Sequence, residues 1–267
     1  MIDSATQEKL RERFNPDGSL LRTYQLYLAD CLKWFDTFCK EHGIRYWLDG
    51  GTCLGAVRHG GFIPWDDDLD VKMFEEDWKK FKAAFRENDR FFLQTMETEP
   101  YYFQAFAKLR DKHSIIREKV PTHYSHNGAF IDIFVVAPSN RFVAQRLKQT
   151  NLYLHKLAGK ENWSPLRRTV FRMYRGWFRF KIAAAKALFS HLPGNRYRNM
   201  VGDPFYKHSW TREELEGQVE MEFEGYKFPV PAQYDTFLTR IYGDWRSLPD
   251  LDRISADLHL AEIKLGI

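Results

Sequence analysis

Disulfides, secretory signals and long apolar runs are all missing from this chain. Only three cysteines occur in 267 residues, Cys31, Cys39 and Cys53, and no two of them form a Cys-x-x-Cys pair. An odd count without paired spacing argues against a disulfide framework and a structural zinc site. The opening Met-Ile-Asp-Ser-Ala-Thr-Gln-Glu-Lys has no apolar signal core. No run reaches the roughly 18 apolar residues of a bilayer-spanning helix. These absences predict a protein folded in a reducing cytoplasm. Internal repeats and low-complexity tracts are absent too. The net charge of +4 is too small by itself to imply a nucleic-acid partner. One absence is local. From Asn162 to Gly202 there is no acidic residue, while Arg167, Arg168, Arg172, Arg175, Arg179, Lys181, Lys186, Arg196 and Arg198 alternate with Phe171, Trp177, Phe178, Phe180 and Phe189.

Aromatic residues are plentiful, with 22 Phe, 13 Tyr and 8 Trp. Residues 1–19 read as a polar lead-in with a turn at Asn15-Pro16-Asp17-Gly18. Tyr24, Leu28, Leu32, Phe35 and Phe38 recur at helical spacing and predict a helix from Leu20 to His42, with Gly43 just past its end. Ile44 to Leu48 is β-prone. Thr52 to Val57 reads as one or two helical turns, and Arg58 to Pro64 as a loop. In Asp66 to Met73, Leu69, Val71 and Met73 alternate with acids, which predicts a strand. Glu75 to Asn88 reads as an amphipathic helix. Phe91 to Thr95, Tyr102 to Leu109 and Ser114 to Arg117 are strand candidates. Phe130 to Val136 is the strongest, apolar enough to be buried on both faces, and Asp132 interrupts it. Beyond Asn140 helical patterns run to about Leu192. A loop with Pro193-Gly194 and Gly202-Asp203-Pro204 follows, then a strand-like piece from Met221 and a helix near Tyr234 to Tyr242. The domain reading is a lead-in at 1–19, a catalytic core at 20–139, and a mainly helical region at 140–267 packed on that core.

The chemistry concentrates between Asp49 and Val71. A Gly50-Gly51 turn follows a short strand and opens a short helix, so its backbone amides can face an anion. Thr52 sits beside them. Asp66, Asp68 and Asp70 would share one strand face, with roughly 6–7 Å between successive Cα atoms; Asp67 would point away as a surface or capping residue. Like charges so close repel, and a divalent cation relieves that repulsion. Asp68 and Asp70 suit Mg²⁺ (or Mn²⁺), which takes one or two carboxylates plus substrate phosphates. Asp132, an acid inside an apolar strand, is the third ligand candidate. Acid runs are often solvated loops, but the diglycine and Asp132 weigh toward a metal site. Arg58 could neutralise phosphate charge or pair with the acids. His59 is a weaker candidate there. Lys108 and Arg110 could reach phosphate or end a solvated strand. Trp65 reads first as core packing, with stacking on a base or cationic head group as the functional alternative.

A strand, Gly-Gly, a helix, a strand with Asp-x-Asp and a later strand with one Asp resembles the nucleotidyltransferase fold of the DNA polymerase β type. The stretch Gly-Gly-Thr-Cys-Leu-Gly-Ala-Val-Arg-His-Gly-Gly-Phe-Ile-Pro-Trp-Asp-Asp-Asp-Leu-Asp-Val resembles the signature of the LicD family, whose superfamily includes fukutin and fukutin-related protein. Phe130-Ile-Asp-Ile-Phe, Phe223-Glu-Gly-Tyr-Lys-Phe-Pro-Val-Pro and Ile241-Tyr-Gly-Asp-Trp fit its later pattern. Cys53 and Gly60 are modest departures. The resemblance runs from about Tyr24 to Pro249 and is thin over 162–202. It implies an α+β fold, a mixed sheet flanked by helices, with Asp68, Asp70 and Asp132 as metal ligands and Gly50 and Gly51 lining nucleotide phosphates. It implies transfer of a substituted phosphate, phosphocholine first, from a CDP-activated alcohol to a hydroxyl of a glycan or lipid-linked glycan, releasing CMP. A choline group would call for an aromatic cage, with Tyr46, Trp47, Trp65, Tyr101, Tyr102 and Phe103 as candidates. An NMP-adding nucleotidyltransferase and a non-catalytic glycan-binding module are the rival classes; nucleic acid is not an expected partner. The basic aromatic span at 162–202 is read either as a helix on an anionic membrane, placing the protein at the inner face of the cell membrane, or as a core-covering helix with a solvated basic face.

Overall fold

The computed structural model describes residues 2–118, 123–159, 163–189, 196–199, 208–254 and 260–266. Two helices lead: α1 (Ser4–Phe14) and α2 (Leu20–Glu41). The polar lead-in thus contains a helix, started by Asp3, whose side chain accepts from the Thr6 amide. Local capping, not an apolar stripe, makes it, so periodicity missed it. The long α2 behaves as its spacing predicts. Tyr24, Leu28, Leu32 and Phe35 are fully buried, and the Ser19 side chain caps its start.

Then come β1 (Trp47–Leu48), α3 (Gly50–His59), β2 (Asp70–Phe74), α4 (Glu75–Ala84), β3 (Phe91–Gln94), β4 (Ala107–Asp111), β5 (Ser114–Glu118) and β6 (Phe130–Pro138). The later elements are α5 (Arg141–Ala158), α6 (Pro165–Phe189), β7 (Tyr197–Asn199), α7 (Arg212–Glu216), β8 (Gln218–Phe223), β9 (Tyr226–Pro231), α8 (Tyr234–Tyr242) and β10 (Leu260–Leu265). The main sheet is mixed, in the order β1-β2-β6-β4-β3, with β7 on β6. β2 and β6 are parallel; β1–β2, β6–β4 and β4–β3 are antiparallel. The result is an α+β architecture with helices flanking a mixed sheet. The predicted loop with Pro193-Gly194 and Gly202-Asp203-Pro204 lies outside the described residues.

Two predictions need correction. The helix at Gly50 is nearly three turns long rather than one or two. The strand begins at Asp70, not Asp66. Residues 66–69 are irregular because their backbone is clamped from elsewhere. The buried Gln25 amide of α2 donates to the carbonyls of Asp66 (2.8 Å) and Ile63 (3.3 Å), and is itself bonded by Asn15 at 2.7 Å. Glu224, in the β8–β9 turn, accepts from the Phe62 amide and from both ends of the Arg22 guanidinium, at 2.6 and 2.9 Å.

The main core runs from α2 and the sheet into the C-terminal elements: Trp210, Phe223, Phe228, Phe237 and Trp245 pack with Trp47, Leu69 and Ile131. A second core joins Phe103 and α5 to Phe171 and Phe178 of α6. The last helix is pinned by charge. Arg240 of α8 makes two 2.8 Å bonds to Glu214 of α7. Those bonds, against a smaller opposing effect of burial, hold the Glu214 carboxyl down to about 2. Its folded value lies below the unfolded one near 4.3. This stabilisation is therefore complete above about pH 4.3 and drains away as pH falls through about 2. Thermal melts across pH 2–6 are expected to show wild type losing its advantage over Glu214→Gln in that window. Parallel curves for the two proteins would refute the linkage.

Candidate active site

The acid cluster is assembled where β2, β6 and the start of α3 meet. Parallel register sets Asp70 opposite Asp132. The backbone around Asp70 is held on both sides: its N–H donates to Thr52 Oγ1 at 2.8 Å, and its C=O accepts from the Asp49 N–H at 3.0 Å. The Asp132 N–H donates to the Leu69 carbonyl at 2.9 Å. Asp66 and Asp68 approach from the clamped loop, so their placement owes nothing to strand alternation.

The diglycine is a requirement of this crowding. Gly50 adopts φ +49°, and a Cβ there would lie 3.2 Å from Asp70 Oδ2. A Cβ on Gly51 would lie 2.7 Å from Asp66 Oδ2. Carboxylates therefore sit directly against the first turn of α3, where the helix dipole favours negative charge. Burial, then the charge and hydrogen bond of Asp68, pushes the Asp66 carboxyl well above the usual range. Burial, then Asp68, Asp132, Asp49 and Asp66, does the same for Asp70. A partly desolvated, mutually repelling set of hard oxygen donors is the chemistry a divalent cation satisfies. Among the described residues, however, no three His, Cys, Asp or Glu side chains stand as a ready metal-holding group. Asp132 is instead engaged by the Lys108 ammonium at 3.0 Å.

Several residues singled out from sequence take other positions. Arg58 is buried and donates to the carbonyls of Trp245 (2.9 Å) and Ser247 (3.1 Å). It clips the C-terminal segment to α3. His59 bonds Gln7 and Arg58 and lies edge-on to Trp65. Arg110 is fully buried; it donates to Gln94 and Gly128 and lies over the Phe130 ring. Its guanidinium is committed to the interior rather than to the acid cluster. Lys108 is at the site, but bound to Asp132 rather than waiting for phosphate. Thr52 braces Asp70. Trp65 packs edge-on against Phe14, at 5.1 Å between ring centres. Asp67 is buried rather than at the surface. The proposed aromatic cage does not form: Tyr46 and Trp47 lie in the main core, Tyr101 and Phe103 in the second.

Other residues were not found from sequence. Tyr242 of α8 brings its hydroxyl to 3.7 Å from the position of a Gly50 Cβ. Burial first, then Asp49 and Asp70, pushes its phenol upward. The Ile241-Tyr-Gly-Asp-Trp pattern was the available signal. Asp49 is bonded to Lys72 at 2.7 Å, with both side chains buried. Phe134 lies two residues along β6 from Asp132, hence on the same sheet face. It packs at a tilt against Phe106, 4.8 Å between ring centres, and the Lys108 ammonium is 5.6 Å from the Phe106 ring. Both rings are half-buried. No local signal distinguishes these two from the chain's many other phenylalanines.

Residues 43–176, half of the chain, match the family described as LicD/FKTN/FKRP, nucleotidyltransferase domain. The lipopolysaccharide cholinephosphotransferase LicD of Haemophilus influenzae is 28% identical over 247 residues, covering 86% of this chain and 92% of that protein. The human ribitol 5-phosphate transferase FKRP is 60% identical over 68 residues, 25% of this chain and 12% of that protein. The mouse ribitol-5-phosphate transferase FKTN is 45% identical over 40 residues, 15% of this chain and 9% of that protein.

Proposed function

Since the chain belongs to the LicD/FKTN/FKRP nucleotidyltransferase-domain family, we propose that it moves a substituted phosphate from a CDP-activated alcohol to a hydroxyl of a cell-surface glycan. The long match to a lipopolysaccharide cholinephosphotransferase favours phosphocholine as the group moved. The observation that carries the reading is the cluster of half-buried Asp66, Asp68 and Asp70 with buried Asp132 against the glycine start of α3. On this reading β2, β6 and α3 form a polymerase β-type nucleotidyltransferase core. Asp68 and Asp70, with Asp132 across the parallel strand pair, would hold Mg²⁺ or Mn²⁺. The ion, when bound, neutralises charge on the donor diphosphate. Gly50 and Gly51 let that diphosphate come close to the backbone amides of the first α3 turn.

In the reaction the acceptor oxygen forms a bond to the phosphorus bearing the alcohol, and the bond from that phosphorus to the CMP oxygen breaks. Asp132 takes the proton of the acceptor hydroxyl. Lys108, bound to Asp132 at rest, is freed to face phosphate oxygens as Asp132 becomes protonated. Most of the acceleration comes from positioning and charge neutralisation.

The tilted Phe106–Phe134 pair lies beside Lys108 and Asp132 on the same face and supplies an aromatic surface for a quaternary ammonium head group. The test is incubation with CDP-choline, CDP-ethanolamine, CDP-ribitol and CDP-glycerol plus Mg²⁺, with detection of freed CMP. CMP release with one donor preferred is expected. Phe134→Ala is expected to raise KM for CDP-choline about tenfold with kcat little changed, the loss of a ~1–2 kcal/mol cation–π contact. Pyrophosphate release from CTP, without CMP release from any CDP-alcohol, would assign the protein to NMP transfer instead. Equal effects of Phe134→Ala on all donors would remove the head-group role.

A further inference from the structure

α6 presents an apolar ridge outward as well as one inward. Its inner side is tied down: Phe171 and Phe178 are fully buried. Arg175 donates to the carbonyls of Met96, Glu99 and Tyr102. Lys186 pairs with Glu75 at 2.8 Å and Lys181 donates to Thr150 at 2.8 Å. The helix therefore cannot roll to hide its opposite side. On that side Leu166, Val170, Met173, Trp177, Phe180 and Leu188 follow one another at helical spacing, and none is covered. Leu166 is 75% exposed, Met173 71%, Phe180 61% and Trp177 52%. Trp177 and Phe180 stack on each other at 5.5 Å, forming a flat aromatic surface at the middle of the ridge. A core-covering helix with a solvated basic face, the other expectation for this span, describes only part of it.

A second ridge runs alongside. Arg168, Arg172 and Arg179 are exposed, and the small residues Thr169, Gly176 and Ala183 separate them from the apolar row. The helix contains no acidic residue. No helix among the described residues is long and apolar enough to cross a membrane.

We infer that this outward face of α6 seats the protein on an anionic lipid bilayer, with the Leu166–Leu188 ridge in the interfacial layer and Arg168, Arg172 and Arg179 on lipid phosphates. Charge decides between occupants. A second copy would set two acid-free arginine rows against each other with no carboxylate on α6 to pair them. A polyanionic glycan would meet the arginines and could set a sugar face on Trp177–Phe180, but would leave Leu166, Met173 and Leu188 uncovered. An anionic bilayer satisfies both rows at once. The inference does not depend on the phosphotransferase reading.

The test uses the full chain and vesicles of phosphatidylcholine alone or with one-third phosphatidylglycerol, read by co-sedimentation and tryptophan emission. Binding is expected only with phosphatidylglycerol, weakened by salt, with a blue shift that Trp177→Phe reduces. Arg168→Gln/Arg172→Gln is expected to weaken partitioning by roughly thirtyfold, at about 1 kcal/mol per surface charge. Met173→Ser/Trp177→Ser is expected to abolish it. Unchanged circular dichroism melts check that both variants fold, as the exposure of all four side chains predicts. Absence of lipid-dependent sedimentation would overturn the inference, as would wild-type binding by Met173→Ser/Trp177→Ser. So would a concentration-dependent dimer that this variant dissolves and vesicles do not compete with. The readout needs neither donor nor acceptor, so a failed transfer assay and a failed vesicle assay are separate results.

Discussion

Asp70→Asn is expected to reduce transfer at least about a thousandfold while raising the melting temperature of the metal-free protein. Both effects come from one carboxylate. The backbone of residue 70 is fixed by Thr52 Oγ1 and the Asp49 amide, neither of which the substitution touches. Asn also fits the volume beside Gly50, where the Asp70 carboxylate already sits 3.2 Å from the position of a Cβ. What changes is charge. In the metal-free protein Asp70 is a half-buried acid facing Asp68, Asp132, Asp49 and Asp66. Removing it relieves repulsion, and a gain of about 1 kcal/mol corresponds to roughly 2–4 °C. Under the proposed mechanism the same charge is indispensable, because it holds the cation that the donor diphosphate needs. Melting with and without Mg²⁺ separates the two effects. Wild type is expected to gain stability from Mg²⁺ by mass action and Asp70→Asn to gain little. An Asn variant with full activity would remove Asp70 from the machinery.

Lys72→Met has the second large expected effect, this time on stability. Lys72 lies at the centre of β2, 1% exposed, with its ammonium 2.7 Å from Asp49 Oδ2 and 5.0 Å from the Trp210 ring. Its partner begins α3 and belongs to the same crowded group of acids. Methionine would fill the space of the lysine stem, but it would leave Asp49 charged, buried and next to Asp70. Breaking a buried pair from one side costs about 3–5 kcal/mol. Equilibrium urea unfolding is expected to show a loss of that size. Adding Asp49→Asn should restore at least half of it, since no uncompensated charge then remains and Asn still suits the start of a helix. If the single variant unfolds like wild type, the pair does not support the site. The pair matters to function through geometry, because β1, β2 and the start of α3 converge on it.

The fold was legible where the information is local. The apolar spacing of Tyr24, Leu28, Leu32 and Phe35 marks α2 because burial of one helix face imposes that period. The run around Ile131 and Ile133 marks β6 because a central strand is covered on both sides. The helix predicted near Tyr234 to Tyr242 keeps those bounds in the structure. The helix at Ser4–Phe14 was missed because a cap, not periodicity, starts it. The alternation of Leu69, Val71 and Met73 with acids carries the predicted strand back to Asp66; Gln25, 41 residues before Asp66, holds that backbone in another shape.

Charged and aromatic side chains were harder to read, for a related reason. Arg58, His59, Arg110 and Lys108 look alike in sequence as cations near acids. Their fates differ because distant segments supply their partners: Trp245 and Ser247 for Arg58, Gln7 for His59, Gln94 and Gly128 for Arg110, Asp132 for Lys108. Aromatic abundance near the N-terminal half pointed to Tyr46 and Trp47, yet the core absorbs both, and Phe106 and Phe134 reach the site face instead.

By itself the sequence determined the amphipathic helices, the buried strand, and the bringing together of diglycine and acids within one short stretch. Those properties depend on neighbours a few residues apart. Tertiary structure alone decided which cations stay available, which rings flank the acids, and which side of α6 is left bare. Each of these depends on what remote chain covers a group, and the free energy of a charge or ring is set by that cover.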